Sequence, residues 1–232
     1  MNSIFIDYRF KLSDDNVEEF RVELNPDRLD LIMQVPEIPP AWTKLDFHQC
    51  PNCPLNADNQ SYCPLALSII TIVEHFDHVF SYDRIHLEVI TKDRRISQQT
   101  SAQQGLSSLM GLLIATSGCP LTEYFKPMAR FHLPLASRDE TMYRAASMYL
   151  LAQYFLHREN READFQLNGL KEIYDNIQEV NYSVAQRLRA ASEADSPVNA
   201  IVILDTYAKA IPFVIEDSLE CIKHLFNSYI KS

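Results

Sequence analysis

Three of the five cysteines in this 232-residue chain fall within one short stretch, HQCPNCPLNADNQSYCPLA at 48–66. They are Cys50, Cys53 and Cys63, and each is followed by proline. A fourth Cys-Pro pair stands alone in TSGCPLTEY at Cys119. Four thiolates are the number that a tetrahedral zinc site or an iron-sulfur cluster requires. Cys50-x2-Cys53 alone is a weak signal; a third cysteine nearby and a fourth sharing the proline signature make it a metal-ligand pattern. The alternative is four small buried hydrophobes, since free cysteine is among the most buried residue types.

Proline suits the first position of a helix, where its missing N–H is not needed, so each preceding cysteine is expected to be an N-cap. Its sulfur would then sit beside free backbone N–H groups and the positive end of the helix dipole, which favour the thiolate. Cys63-Pro64-Leu65, Cys119-Pro120-Leu121 and Cys53-Pro54-Leu55 share that form. Zinc is the expected metal, with an iron-sulfur cluster as the alternative. The fit to a zinc knuckle is imperfect, because Pro54 stands where a knuckle has a glycine of positive φ. CPNC also resembles the dithiol of glutaredoxins, but that motif belongs to a βαβ unit, for which the flanking sequence gives no support. His48 is expected at the surface, with metal ligation as its alternative role, and Cys221 is expected in the core or at its boundary.

Lys126, Arg130 and His132, with Arg138, lie in KPMARFHLPLASR, within a stretch (97–138) that holds three Lys/Arg against one Asp/Glu. They are candidates for an anion site, binding a cofactor or an anionic small-molecule substrate. Pairing with the surplus carboxylates is an equally good reading. Thirteen residues separate His132 from Cys119, which imposes no nucleophile-base contact. In EHFDH, Glu74, His75 and His78 have helical spacing for two ligands, although a polar helix end explains them as well. Asp205 and Asn181 interrupt apolar stripes and are expected to find buried partners or to specify packing.

Much is excluded. With four glycines in all, the chain has no GxxxxGK[ST] loop, GxGxxG turn or GxSxG elbow, and HExxH and EF-hand patterns are absent too. A formal net charge of -10 argues against nucleic acid. There is no basic and apolar leader and no run of eighteen apolar residues, so no membrane span is expected, and cytoplasmic location is the default. In that reducing compartment clustered cysteines are ligands or redox groups rather than disulfides.

The elements that must position these residues follow from periodicity. IFIDYRFKL and EEFRVEL alternate as strands about a turn, SDDN; DRLDLIMQV and SYDRIHLEVITKD read as further strands. VPEIPPAW is an extended connector. Helices are expected from Pro64 through LALSIITIVEHF, over 98–117, over 139–157 and over 165–190. The 98–117 helix carries a small-residue stripe of Ser101, Gly105, Ser108, Gly111 and Ala115, which admits a close backbone approach, and it should end near Gly118. The 139–157 helix should pack through Tyr143, Ser147, Leu150, Leu151 and Tyr154. The 165–190 helix should pack through Leu170, Tyr174, Ile177, Val184 and Leu188. A last helix begins at Ser196-Pro197 and should break at Pro212. The fold class is α+β: a small antiparallel sheet, N-terminal strands plus one near 84–92, beside a mainly helical bundle. The chain divides into a β segment (1–47), a cysteine-rich segment (48–66) and a bundle with one inserted strand (67–232), forming one compact domain.

QCPNCPL, YCPLA, SGCPL and KPMARFHLPL together resemble an uncharacterised bacterial protein family of similar length, over most of the chain. The resemblance implies a bacterial cytoplasmic protein whose cysteines act together, and brings no activity with it. The expected role is a metal-binding protein of sensory or interaction type, with a redox enzyme using an iron-sulfur cluster or reactive thiols as the alternative. A protein or small-molecule partner is expected, a homo-oligomer among the options, and neither nucleic acid nor membrane.

Overall fold

A computed structural model describes residues 3–12, 16–217 and 219–230. Most of the SDDN segment, Ser13 to Asp15, lies outside the described residues. Alternation of apolar and polar side chains produces β1 (Ile4–Lys11) and β2 (Val17–Leu24); β3 is only Leu31–Ile32. After α1 (Pro64–Ser68) and α2 (Ile70–Phe76) come β4 (Arg84–Thr91) and β5 (Arg95–Ser101). The sheet is antiparallel in the order β3-β2-β1-β4-β5. Register places Phe10 opposite Leu87 and Tyr8 opposite Val89. Those four, with Ile6, Ile85, Val22 and Leu24, form one buried face, while Arg9, Arg21 and Glu88 lie on the other.

The rest is helical: α3 (Ala102–Thr116), α4 (Lys126–Arg130), α5 (Arg138–Arg158), α6 (Asn168–Ala191), α7 (Ser196–Glu216), α8 (Glu220–Lys223) and α9 (Asn227–Ile230). The α+β class holds. α3 lies directly on the sheet because Gly105 has no side chain. A Cβ there would stand 2.8 Å from Ile85 Cδ1 and 3.0 Å from Phe10 Cε1. On its other side α3 packs on α7, which packs on α6. Gly118 follows the end of α3 with φ +87°, a conformation that favours glycine.

Several elements differ from expectation. QQTS, read as helix, belongs to β5, an edge strand that buries only Thr100 and so shows no clear alternation. The helix from Pro64 is broken at Ile69, whose backbone (φ -112°, ψ 7°) leaves the helical region. Pro212 does not divide α7, which runs on to Glu216, so the lost N–H is tolerated one turn before the end. Asp195, not Ser196, occupies the α7 N-cap and accepts hydrogen bonds from Ser81 N and Oγ, both at 2.8 Å. In α5 the buried side chains are Met142, Ala145, Ala146 and Gln153, leaving Tyr143, Leu151 and Tyr154 exposed. Small alanines bring its opposite face close to the bundle. Among the described residues α7 is long and apolar enough, by length and composition alone, to cross a membrane, a test that the core helix of a soluble protein also passes. Here it packs through Ala200, Ile201, Ala208 and Ile211.

Candidate functional site

The cysteine segment is a loop closed at its base. Lys44 and Tyr62 form an antiparallel bridge, with Leu45 N donating to Ser61 O (3.0 Å) and Cys63 N to Thr43 O (2.8 Å). Cys63 is thereby returned to the start of the loop that carries Cys50 and Cys53. Within the loop Cys53 N donates to Cys50 O (3.0 Å), a tight turn across Pro51 and Asn52.

One face of α6 holds this loop. Arg187, 1% exposed, donates to the carbonyls of Trp42 and Lys44 (both 2.7 Å) and of Leu45 (3.0 Å). The Ser183 hydroxyl stands beside Cys50, where it favours the thiolate. Asn52 Nδ2 donates to the backbone oxygen of Asn176 (3.1 Å) and to its Oδ1 (2.9 Å). Asn176, Ser183 and Arg187 recur at helical spacing, so one polar stripe grips the cysteine loop at three levels. Asn52 Oδ1 is buried with no donor.

Cys50, Cys53 and Cys63 are half-buried, Cys119 is buried, Cys221 is exposed, and all five are free thiols. Burial pushes the Cys50 thiol up to about 11, against the Ser183 hydrogen bond, and Cys63, Cys53 and Cys119 each oppose its ionisation further. Burial also raises Cys119; the Leu121 N–H and the Thr122 hydroxyl and N–H favour its thiolate, while Cys63 opposes it. Cys50 therefore feels the other three, and Cys119 feels Cys63. Among the described residues no three His, Cys, Asp or Glu side chains stand in metal-holding geometry.

The helix-cap expectation is corrected in two respects. Only Cys63 caps a helix, α1, and its sulfur makes no capping hydrogen bond. Cys53-Pro54 lies in irregular chain, and Cys119-Pro120 opens a turn, Thr122 N to Cys119 O at 3.1 Å, before the short 3-10 helix Glu123–Phe125. At Cys50 and Cys119 desolvation therefore outweighs any backbone dipole, and the neutral thiol is favoured. Cys221, expected at the core or its boundary, is at the surface because α8 turns only Ile222 inward.

Lys126, Arg130 and His132 each have a neighbour of their own. Lys126 Nζ is paired with Asp30 (2.7 Å), and Arg130 is exposed over the Phe131 ring, 5.3 Å from its centroid. His132 Nε2 is hydrogen-bonded to the Tyr8 hydroxyl. Burial and the Arg144 charge push His132 down to about 3, so the imidazole is neutral. Ser108 Oγ bonds Tyr8 (3.2 Å) and accepts from Leu135 N (3.1 Å), which completes the chain. At the end of α2, His75 Nδ1 meets Glu18 (2.5 Å), while Glu74 and His78 are exposed, so EHFDH is a polar helix end. His48 is exposed, against the Phe47 ring.

The sequence reading did not single out Arg187, Ser183, Tyr8 or Arg144. A buried arginine on an apolar helical stripe is a signal of its kind, since such a charge is retained only with partners. Behind His132, α3, α4, α5, α6 and α7 line an open cavity of about 510 Å³. Asn181, 3% exposed, lines it, and its Nδ2 has no partner.

The model of a family described as a domain of unknown function, DUF6901, matches residues 6–227. No curated protein and no solved structure matches the chain.

Proposed function

We propose that this chain, which belongs to the DUF6901 family, is a cytoplasmic metal-binding protein holding one zinc ion on Cys50, Cys53, Cys63 and Cys119. The observation that carries the reading is the closure of the loop by the Lys44–Tyr62 bridge and the Cys63 N to Thr43 O bond, which returns Cys63 to the start of the segment that carries Cys50 and Cys53; ionisation of Cys50 is further opposed by the other three thiols. Mutual repulsion among like charges is what a cation relieves, and four soft sulfur donors suit zinc. The orphaned Asn52 Oδ1 adds an uncompensated negative dipole in the same loop. A zinc ion would supply the positive charge that turns these neutral thiols into thiolates.

The role is structural or sensory. Cys119 follows α3, Cys50 lies beside Ser183 of α6, and Cys63 caps α1. Drawing the four sulfurs together ties α1, α3 and α6 at one point, so metal occupancy would be read out as packing of the helical layer, presented to a protein or small-molecule partner. Free thiols at such spacings persist in a reducing compartment, which is why the cytoplasm is proposed.

Metal analysis of protein purified anaerobically, beside Cys119→Ser, tests this. A colourless wild type with one zinc per chain, and a variant with much less, is expected. Brown protein that bleaches on reduction would replace zinc with an iron-sulfur cluster and favour a redox enzyme. Absence of metal from the wild type, even after zinc is supplied, would overturn the proposal.

A further inference from the structure

The geometry points to a second site, independent of the cysteines: the cavity behind His132 binds a mainly apolar carboxylic acid, its carboxylate on Arg144. The volume, about 510 Å³, lies within the range of small-molecule sites, roughly 300–1,000 Å³. Its wall is mainly apolar, with Leu112, Phe125, Met128, Ile177 and Leu204 among the lining side chains. An aliphatic or aromatic body therefore fits it better than a sugar or nucleotide would.

Among the described residues that line the cavity, Arg144 alone carries a full charge. Arg144 is half-buried, and its Nη2 donates to the carbonyls of Met128 (2.8 Å) and Phe131 (3.0 Å). Those bonds orient the guanidinium without neutralising it. The carboxylate one turn away, Glu140, instead accepts from Ser137 N (2.7 Å) in the capping box of α5. Among the described residues Arg144 makes no ion pair, and burial lowers its pKa. The Arg144 charge reaches His132 and Tyr174, which line the same cavity, and also Glu140 one turn away. His132 is held neutral, so it supplies no competing charge. A half-buried cation whose nearest carboxylate, Glu140, is engaged in a helix cap, and which opens on an apolar cavity, is matched by a carboxylate that the guanidinium can take in bidentate fashion.

Asn181 supplies the second, independent mark of a ligand. Its Nδ2 is a buried donor with no acceptor in the protein, and such a group is costly unless something else accepts from it. It stands two turns along α6 from Tyr174, a rise of about 10 Å.

Calorimetric titration of the wild type with decanoate, 2-naphthoate and decanol tests the assignment, and needs no variant. Binding of at least one acid about tenfold or more tighter than the alcohol is expected, as for hydrogen bonds to a charged group. Decanoate and 2-naphthoate then separate a chain-like from a ring-like body. Arg144→Gln should erase the preference for acid over alcohol while far-UV circular dichroism is unchanged. Decanol binding as tightly as the acids, no binding of either acid, or a folded Arg144→Gln that keeps the preference would overturn the inference. If the variant does not fold, the wild-type comparison decides alone. Because none of these readouts involves metal, failure here leaves the zinc proposal standing, and the reverse is also true.

Discussion

Arg187 Nη1 lies 2.7 Å from the carbonyl oxygen of Lys44, across a separation of 143 residues. With the carbonyls of Trp42 and Leu45 also in its grasp, this buried guanidinium fixes the base of the cysteine loop to α6. The loop's geometry therefore depends on a residue outside it.

Removing that clamp should be severe. Arg187→Met keeps much of the apolar volume but strips buried carbonyls of charge-assisted hydrogen bonds, so a loss of about 3 kcal/mol or more is expected. Urea unfolding measures it. A loss below about 1 kcal/mol would mean that the carbonyls find other donors at little cost.

Gly105→Ala sets two effects against each other. Alanine favours the helix by about 1 kcal/mol, but its Cβ would fall 2.8 Å from Ile85 Cδ1 and 3.0 Å from Phe10 Cε1. Overpacking of that kind costs roughly 1–3 kcal/mol, so a net loss is expected in thermal or urea unfolding. A gain would show that α3 can lift from the sheet freely.

These two residues show how unevenly the fold was legible. β1, β2 and β4 were legible because one face of each is buried and the other wet, and α6 because Leu170, Tyr174, Ile177, Val184 and Leu188 all turn inward. β5 was not, because an edge strand with one buried residue has no period to read. The α5 face was inverted because Ala145 and Ala146 carry less hydrophobic signal than the exposed tyrosines and leucines. At the site, repeated Cys-Pro pairs marked the four thiols. Their supports, Ser183 and Arg187, look in sequence like polar interruptions of a helix, and only tertiary packing assigns them partners. The basic segment dispersed for a similar reason: Asp30, distant in sequence, takes Lys126.

Acid should expose the Tyr8–His132 pair. His132 titrates near 6.5 when unfolded and is pushed down to about 3 in the fold. Between those values the unfolded chain binds more protons, so its contribution to stability is complete above about pH 6.5 and is lost progressively as pH falls towards 3. The slope approaches about 1.4 kcal/mol per pH unit at most. His132→Gln should therefore lose less stability than the wild type between pH 7 and pH 4.5, as measured by urea unfolding. Parallel acid limbs for the two proteins would contradict a buried neutral histidine.

The central claim is that four cysteines act on one metal ion. Burial holds Cys50 and Cys119 above the ordinary thiol range, so the thiols are protonated near neutral pH and must lose those protons to bind metal. The direct measurement is the number of protons released when one zinc ion binds the reduced protein, from calorimetric titrations in buffers of different protonation enthalpy. About four protons per zinc are expected for the wild type, and about one fewer, with weaker binding, for Cys119→Ser. No zinc binding, or a proton count and affinity that Cys119→Ser leaves unchanged, would contradict the claim.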